Sequence, residues 1–161
     1  PPRSTPLYSS AASDVYKRQT HYSYSYATQV VTLDDTGQID TIFAAHDAGR
    51  IINPVLFEGQ LEGSVHMGLG YALSENFEML EGRPRHTRLG KLGMIRATST
   101  PKIVVIGVEE PDNFGPFGAK GVGEIGLVPT ASAVSNAFFQ YNGERQYDLP
   151  LKQMSSKPSV K

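Results

Sequence analysis

The chain contains no cysteine, and that absence removes disulfides, thiolate metal sites and cysteine-ligated iron–sulfur clusters from what it can build by itself. Charge of one sign is lacking too. Fifteen basic residues against sixteen acidic ones leave a net charge of −1, so there is neither the basic stripe of a nucleic-acid binder nor the basic face that anionic membrane attracts. No apolar run approaches the ~20 residues of a membrane span, and no charged segment followed by an apolar one marks a secretory signal. Nucleic acid and membrane are therefore not expected partners, and a cytoplasmic setting is the default. What remains is 161 residues, a length that suits one domain and buries roughly 70% of its unfolded surface.

Pro1 to Gln19 are rich in Pro and Ser and carry no hydrophobic period. The run from Ser9 to Gln19 resembles translated adaptor sequence, so residues 1–19 are set apart as a non-native or disordered leader. The expected domain covers 20–151, and the Ser/Lys-rich 152–161 reads as a tail. Tyr22, Tyr24 and Tyr26 alternate ahead of Val30, Val31 and Leu33, which is strand periodicity over Tyr22 to Leu33. Asp34-Asp35-Thr36-Gly37 supplies turn chemistry, and Ile39 to Ala45 is a second apolar run, so the two pair most simply as an antiparallel hairpin.

Asn53 is placed to cap a helix and Pro54 occupies the favoured first helical position, which predicts a helix from Pro54 to about Leu73. Gly59, Gly63, Gly68 and Gly70 each cost about 1 kcal/mol relative to alanine in an exposed helix, so a backbone or a large ligand is expected against that surface. Ser74 to Met79 reads as a strand, Glu81 to Pro84 as a turn, and Leu89 to Ser99 as loop with one helical turn. Pro101 to Val108 is a β-branched strand, and a second helix starts near Val128-Pro129-Thr130 and ends at Asn142-Gly143. Asp148 to Leu151 closes the domain as a short extended piece. The fold class is α+β, with a mixed or antiparallel sheet and two main helices.

The chemistry concentrates in Gly118-Ala119-Lys120-Gly121-Val122-Gly123-Glu124. Its glycines let the backbone pass close to a bulky ligand, and a carboxylate ending such a loop can be held, partly desolvated, where a working base is needed. The spacing is neither a Walker loop nor a Rossmann turn, because Asp112 to Phe117 separate it from the strand before it. Lys120 and the loop N–H groups suit an anionic, phosphate-bearing cofactor, whereas the bland reading has Glu124 capping the next helix or pairing with Lys120. The histidines His21, His46, His66 and His86 have no metal-site spacing; His66 reads as a packing residue and His46 as ordering the lead-in to the first helix. Glu58 and Glu62 read as one solvated helix face.

Three segments together resemble the molybdenum-binding subunit of the xanthine dehydrogenase and aldehyde oxidase family. Asp47-Ala48-Gly49-Arg50-Ile51-Ile52-Asn53-Pro54 looks like its D-x-G-x-x-x-N-P lead-in, Glu58 to Leu73 resembles its G-Q-x-x-G helix, and Gly118 to Glu124 is similar to its K-x-V-G-E loop. The resemblance implies part of the second molybdopterin-binding domain, in a C-terminal piece that is inactive alone and whose partners include the upstream part of the same subunit. It implies that Gln60 contacts the pterin, that Lys120, Gly121, Val122 and Gly123 line the cofactor, and that the protein itself gives the metal no ligand. Glu124 would be the general base as water-derived oxygen attacks an electrophilic carbon. The implied cofactor is molybdenum–molybdopterin, with the cytosine dinucleotide form as one option, and electrons leave through iron–sulfur clusters and FAD on partner domains or subunits. The small-molecule substrate is then a purine, another N-heterocycle or an aldehyde, with purine-type hydroxylation the first choice. Ile125-Gly126 follows Glu124 where many members carry proline, which points to a divergent branch. The competing expectation is a non-catalytic structural or partner-docking module with Glu124 as a helix cap.

Overall fold

The computed structural model describes residues 24–152; the leader assigned to residues 1–19, and all of the assigned tail except Lys152, lie outside the described residues. In chain order the elements are β1 (Ala27–Leu33), β2 (Ile39–Asp47), α1 (Pro54–Leu73), β3 (Met79–Leu80), β4 (Arg83–Pro84), β5 (Lys102–Val108) and α2 (Thr130–Asn142). Asp34 Oδ1 closes the first turn by accepting from Thr36 N at 2.8 Å, Thr36 Oγ1 at 2.7 Å and Gln38 N at 3.0 Å. That turn sets β1 antiparallel to β2, with Ala27 opposite His46 and Leu33 opposite Ile39. β5 then adds to the other edge of β2 in parallel, from Thr41 against Lys102 to Asp47 against Val108. The result is a mixed three-stranded sheet in the order β1-β2-β5, as the α+β reading requires.

Strand side chains alternate between two faces, and here one face is covered by both helices. Ile42 and Ala44 from β2 join Val65 and Leu69 of α1, Val134 and Phe138 of α2, and Leu151 in the main core. A second cluster of Ala48, Phe57 and Leu61 takes in Ile51, Val105, Val122 and Ile125, so the first turns of α1 pack against the loop that follows β5. Asn53 caps α1, its Oδ1 accepting from Leu56 N at 3.1 Å, and Pro54 stands in the first turn. Both ends of α1 agree with the sequence reading. No helix of the described residues is long and apolar enough to cross a membrane.

Several expectations need correction. The strand begins at Ala27 rather than Tyr22: β2 ends at Asp47, whose N–H bonds the Tyr26 carbonyl at 2.9 Å, and beyond it Ala48 and Gly49 pair with Val108, Lys120 and Ala119 instead. Tyr24 and Tyr26 are 74% and 80% exposed, so their alternation reflects no buried face, and Tyr22 lies outside the described residues. Ser74 to Met79 is not a strand. Ser74 and Glu75 direct their N–H groups at Gly70 O and finish α1, which leaves only Met79–Leu80 to pair with Arg83–Pro84 around the left-handed Glu81 and Gly82. Leu89 to Ser99 holds two 3-10 turns, Leu89–Lys91 and Ala97–Ser99. Asp148 to Leu151 closes the domain without belonging to the sheet: Leu151 is fixed by its buried side chain and by an N–H bond to Ala72 O at 2.7 Å.

Leu61 is fully buried between the helix and the loop, so Leu61→Ala is expected to destabilise the chain by about 2–5 kcal/mol. Urea denaturation measures this, and a loss well under that range would mean that the loop does not pack on α1 as described.

Candidate functional site

The site is assembled where β2 runs out. Asp47, the last residue of β2, turns its carboxylate inward and accepts from Lys120 Nζ at 2.5 Å, with the two side chains only 5% and 7% exposed. Its other oxygen accepts from Gly49 N at 2.9 Å and lies 3.4 Å from Glu110 N. The backbone repeats the attachment: Lys120 N donates to Ala48 O at 3.0 Å, Arg50 N donates to Gly118 O at 2.9 Å, and Gly49 and Ala119 form an antiparallel bridge. Gly49 has φ +59°, and a Cβ there would fall 2.3 Å from Gly118 O. Only glycine fits so close a crossing.

From that anchor the loop runs along α1. Val122 and Ile125 pack into the cluster with Phe57 and Leu61, and at Gly126 a Cβ would fall 2.0 Å from Ser64 Oγ. The Gly126 carbonyl accepts from Gln29 Nε2 at 2.7 Å and from Thr130 Oγ1 at 3.0 Å. Gln29 Nε2 also lies 3.3 Å from Nε2 of the buried His46. His46 thus faces the sheet interior and the loop's far end, a correction to its expected role in the lead-in to α1.

Gln60 directly precedes the buried Leu61 and is exposed, as are Gly121 and Glu124, while Val122 and Gly123 are half-buried. The structure therefore brings Gln60 and the loop to one region of α1. It does not enclose them. Neither the cavity beside Ile39, Leu73, Met94 and Phe138 nor the one beside Ile51, Phe57, Val105 and Glu109 is lined by Gln60 or the loop. Glu124 is exposed, so among the described residues nothing supplies the desolvation expected around it. Glu124 does not cap α2, where Pro129 stands at the N-cap, and Lys120 is paired with Asp47 instead of Glu124. Among the α1 glycines, Gly68 meets Thr130, with a Cβ falling 2.7 Å from it, and Gly70 meets the Glu75 side chain, whereas a Cβ at Gly59 or Gly63, like one at Gly121 in the loop, would meet nothing within 4 Å. These three open glycines and the Gln60 carboxamide between two of them fit a large flat group with a hydrogen-bonding edge; Lys120, its ammonium already engaged, has only its backbone to offer.

Two contributors escaped sequence reasoning. Asp47 belongs to the recognised lead-in, but its partner is 73 residues away and no local spacing marks it. Gln29 had one available sign: it is a polar residue at an inward position of β1, in line with Val31 and opposite the buried Ala44.

Comparison with known proteins agrees with this architecture. The fold matches that of the aldehyde oxidoreductase from Desulfovibrio gigas, with a TM-score of 0.68 and 36% identity over 78% of this chain and 14% of that one. In sequence the chain is 36% identical over 133 residues to the aldehyde oxidoreductase of Megalodesulfovibrio gigas, covering 80% of this chain and 14% of the relative. It is 34% identical over 115 residues to a putative xanthine dehydrogenase molybdenum-binding subunit of Escherichia coli, covering 70% and 15%. This is the class of molybdenum-binding domains of oxidoreductases. A profile of the molybdopterin cofactor-binding domain matches residues 5–101, and the chain belongs to that family. The profile match includes Gln60 and ends before the Gly118 to Glu124 loop. The chain spans about a seventh of the length of these relatives.

Burial opposes charge on Asp47 and is the largest single influence on it. The Lys120 hydrogen bond and the Gly49 and Glu110 N–H groups together outweigh burial and hold the carboxyl below its ordinary 3.8. Asp47→Asn leaves the Lys120 ammonium buried and uncompensated, so denaturation is expected to show a loss of about 3–5 kcal/mol; a loss under about 1 kcal/mol would contradict the pairing. Burial lowers His46 below its ordinary 6.5. The unfolded chain then binds the proton more readily than the folded one, so this contribution is complete above about pH 6.5 and is lost as pH falls toward the folded value. The denaturation midpoint should drop between pH 7 and pH 5, with His46→Gln removing most of that drop. A midpoint that is flat or rises toward pH 5 would contradict it.

Proposed function

We propose that this chain forms one wall of the cofactor site in a molybdenum hydroxylase, an enzyme that hydroxylates an electrophilic carbon of a purine, another N-heterocycle or an aldehyde with water-derived oxygen. The supporting observation is that the loop ending at Glu124 is docked on the same helix that exposes Gln60 between two open glycines. Gln60 offers a donor and an acceptor to the pterin edge, and Lys120, Gly121, Val122 and Gly123 line the cofactor with backbone. The Asp47–Lys120 pair keeps Lys120 in place without lending its charge. When bound, the molybdenum cofactor supplies the activated oxygen and takes up the substrate's two electrons, which pass on to iron–sulfur and flavin partners.

Glu124 is the proton acceptor in this reading. Its carboxylate stands free of any intrachain cap and is exposed at the end of the loop, where a second wall from the rest of the subunit would exclude water. General-base catalysis requires the carboxylate to reach the proton it removes, and a loop attached at Asp47 and packed on α1 holds it in place for that. The alternative, a docking module with Glu124 as a cap, loses its specific feature because Pro129 occupies that position.

In the enzyme assembled on the complete molybdenum subunit, Glu124→Gln is expected to retain its molybdenum while turnover falls ~10²-fold or more. Metal analysis beside steady-state kinetics decides it. Turnover near that of the parent enzyme would remove Glu124 from the reaction.

A further inference from the structure

The Gln29 carboxamide crosses 97 residues of sequence to reach the Gly126 carbonyl. Its nitrogen carries two N–H groups. One is used on Gly126 O, and the other is directed toward His46 Nε2 at 3.3 Å. For that contact to be a hydrogen bond, Nε2 must be the bare acceptor and the ring proton must reside on Nδ1. Turning the amide over would set Oε1 against the Gly126 carbonyl, oxygen against oxygen, so the carbonyl fixes which way the amide points. Gln29 Oε1 and His46 Nδ1 are left buried with no partner among the described residues, an arrangement with a cost that the interior retains.

We propose that Gln29 and His46 are positioning residues for Glu124. The Glu124 carbonyl accepts from Leu127 N at 3.1 Å, so Glu124 to Leu127 form one turn, and the Gly126 carbonyl inside it is tied to the sheet through Gln29. The neutral His46 ring orients that amide. Asp47 holds the other end through Lys120. His46 and Asp47 are consecutive in β2 and project to opposite faces, so the last two residues of one strand fix both sides of the loop. This proposal takes the catalytic assignment of Glu124 from the reading above, but the tie itself does not depend on it.

The test has a part that needs no substitution. Nitrogen-15 NMR of the full chain at neutral pH is expected to show the His46 proton on Nδ1 and a bare Nε2; a proton on Nε2 would overturn the proposal. Hydrogen exchange at the Leu127 amide reports on the turn. Gln29→Met keeps the length of the side chain and removes its hydrogen bonds, and should speed Leu127 exchange at least tenfold relative to the amides of β2 and β5. His46→Gln, which restores a carbonyl acceptor, should stay near the parent, and His46→Leu should not. Exchange at Leu127 that rises only in step with β2 and β5 is general destabilisation and would overturn the proposal. In the assembled enzyme, Gln29→Met should lower kcat roughly tenfold or more with KM unchanged, the effect of a misplaced base; an unchanged kcat also overturns it. The NMR and exchange results involve no molybdenum. A fully active Glu124→Gln enzyme with those results intact would remove the base and leave the tie, whereas an inactive one with the tie absent would do the reverse.

Discussion

A lysine ammonium and an aspartate carboxylate, both almost excluded from water, fasten the glycine loop to the end of the central strand. Such a pair adds little net stability, because removing two charges from water costs nearly what their attraction returns. Its value lies in what it forbids. Neither group tolerates separation from the other once buried, so Lys120 has one acceptable position and the backbone on either side follows. The Gly49–Ala119 bridge and the hydrogen bonds to Ala48 O and Gly118 O then set the direction in which the loop leaves. Val122 and Ile125 complete the placement by packing on Phe57 and Leu61.

Two sets of glycines around the helix and the loop differ in what surrounds them. Gly49, Gly68 and Gly126 sit where another part of the chain comes so near that a Cβ would overlap it; packing explains them. Gly59, Gly63 and Gly121 face open space, and helix propensity alone would replace the first two with alanine. Packing among the described residues gives no reason for these three. A ligand or a second wall approaching the helix and the loop does, and the molybdopterin cofactor-binding family supplies a ligand of the right kind.

Much of the fold was legible in the sequence because its instructions were local. Asn53 and Pro54 start α1, Gly143 ends α2 in a left-handed conformation, and Asp34 with Gly37 closes the hairpin. The misreadings share a different cause. The tyrosine alternation looks like a strand, yet a strand needs a partner, and β2 ends at Asp47. Ser74 to Met79 has strand-like residues, but the last turn of α1 claims the N–H groups of Ser74 and Glu75. The site was legible only as a set of residue types. That Gln60 and the glycine loop share one helix follows from long-range packing, and the partners of Lys120 and Gly126 come from strands remote in sequence. No spacing rule reaches that far.

In the proposed enzyme Gln60 and the Gly121 to Glu124 stretch belong to one cofactor surface. Hydrogen exchange on the complete molybdenum subunit, compared with and without its cofactor, tests this most directly. Cofactor binding is predicted to slow exchange together at Gly59 to Gly63 and at Gly121 to Glu124. Protection at only one of these segments, or at neither, would contradict the account.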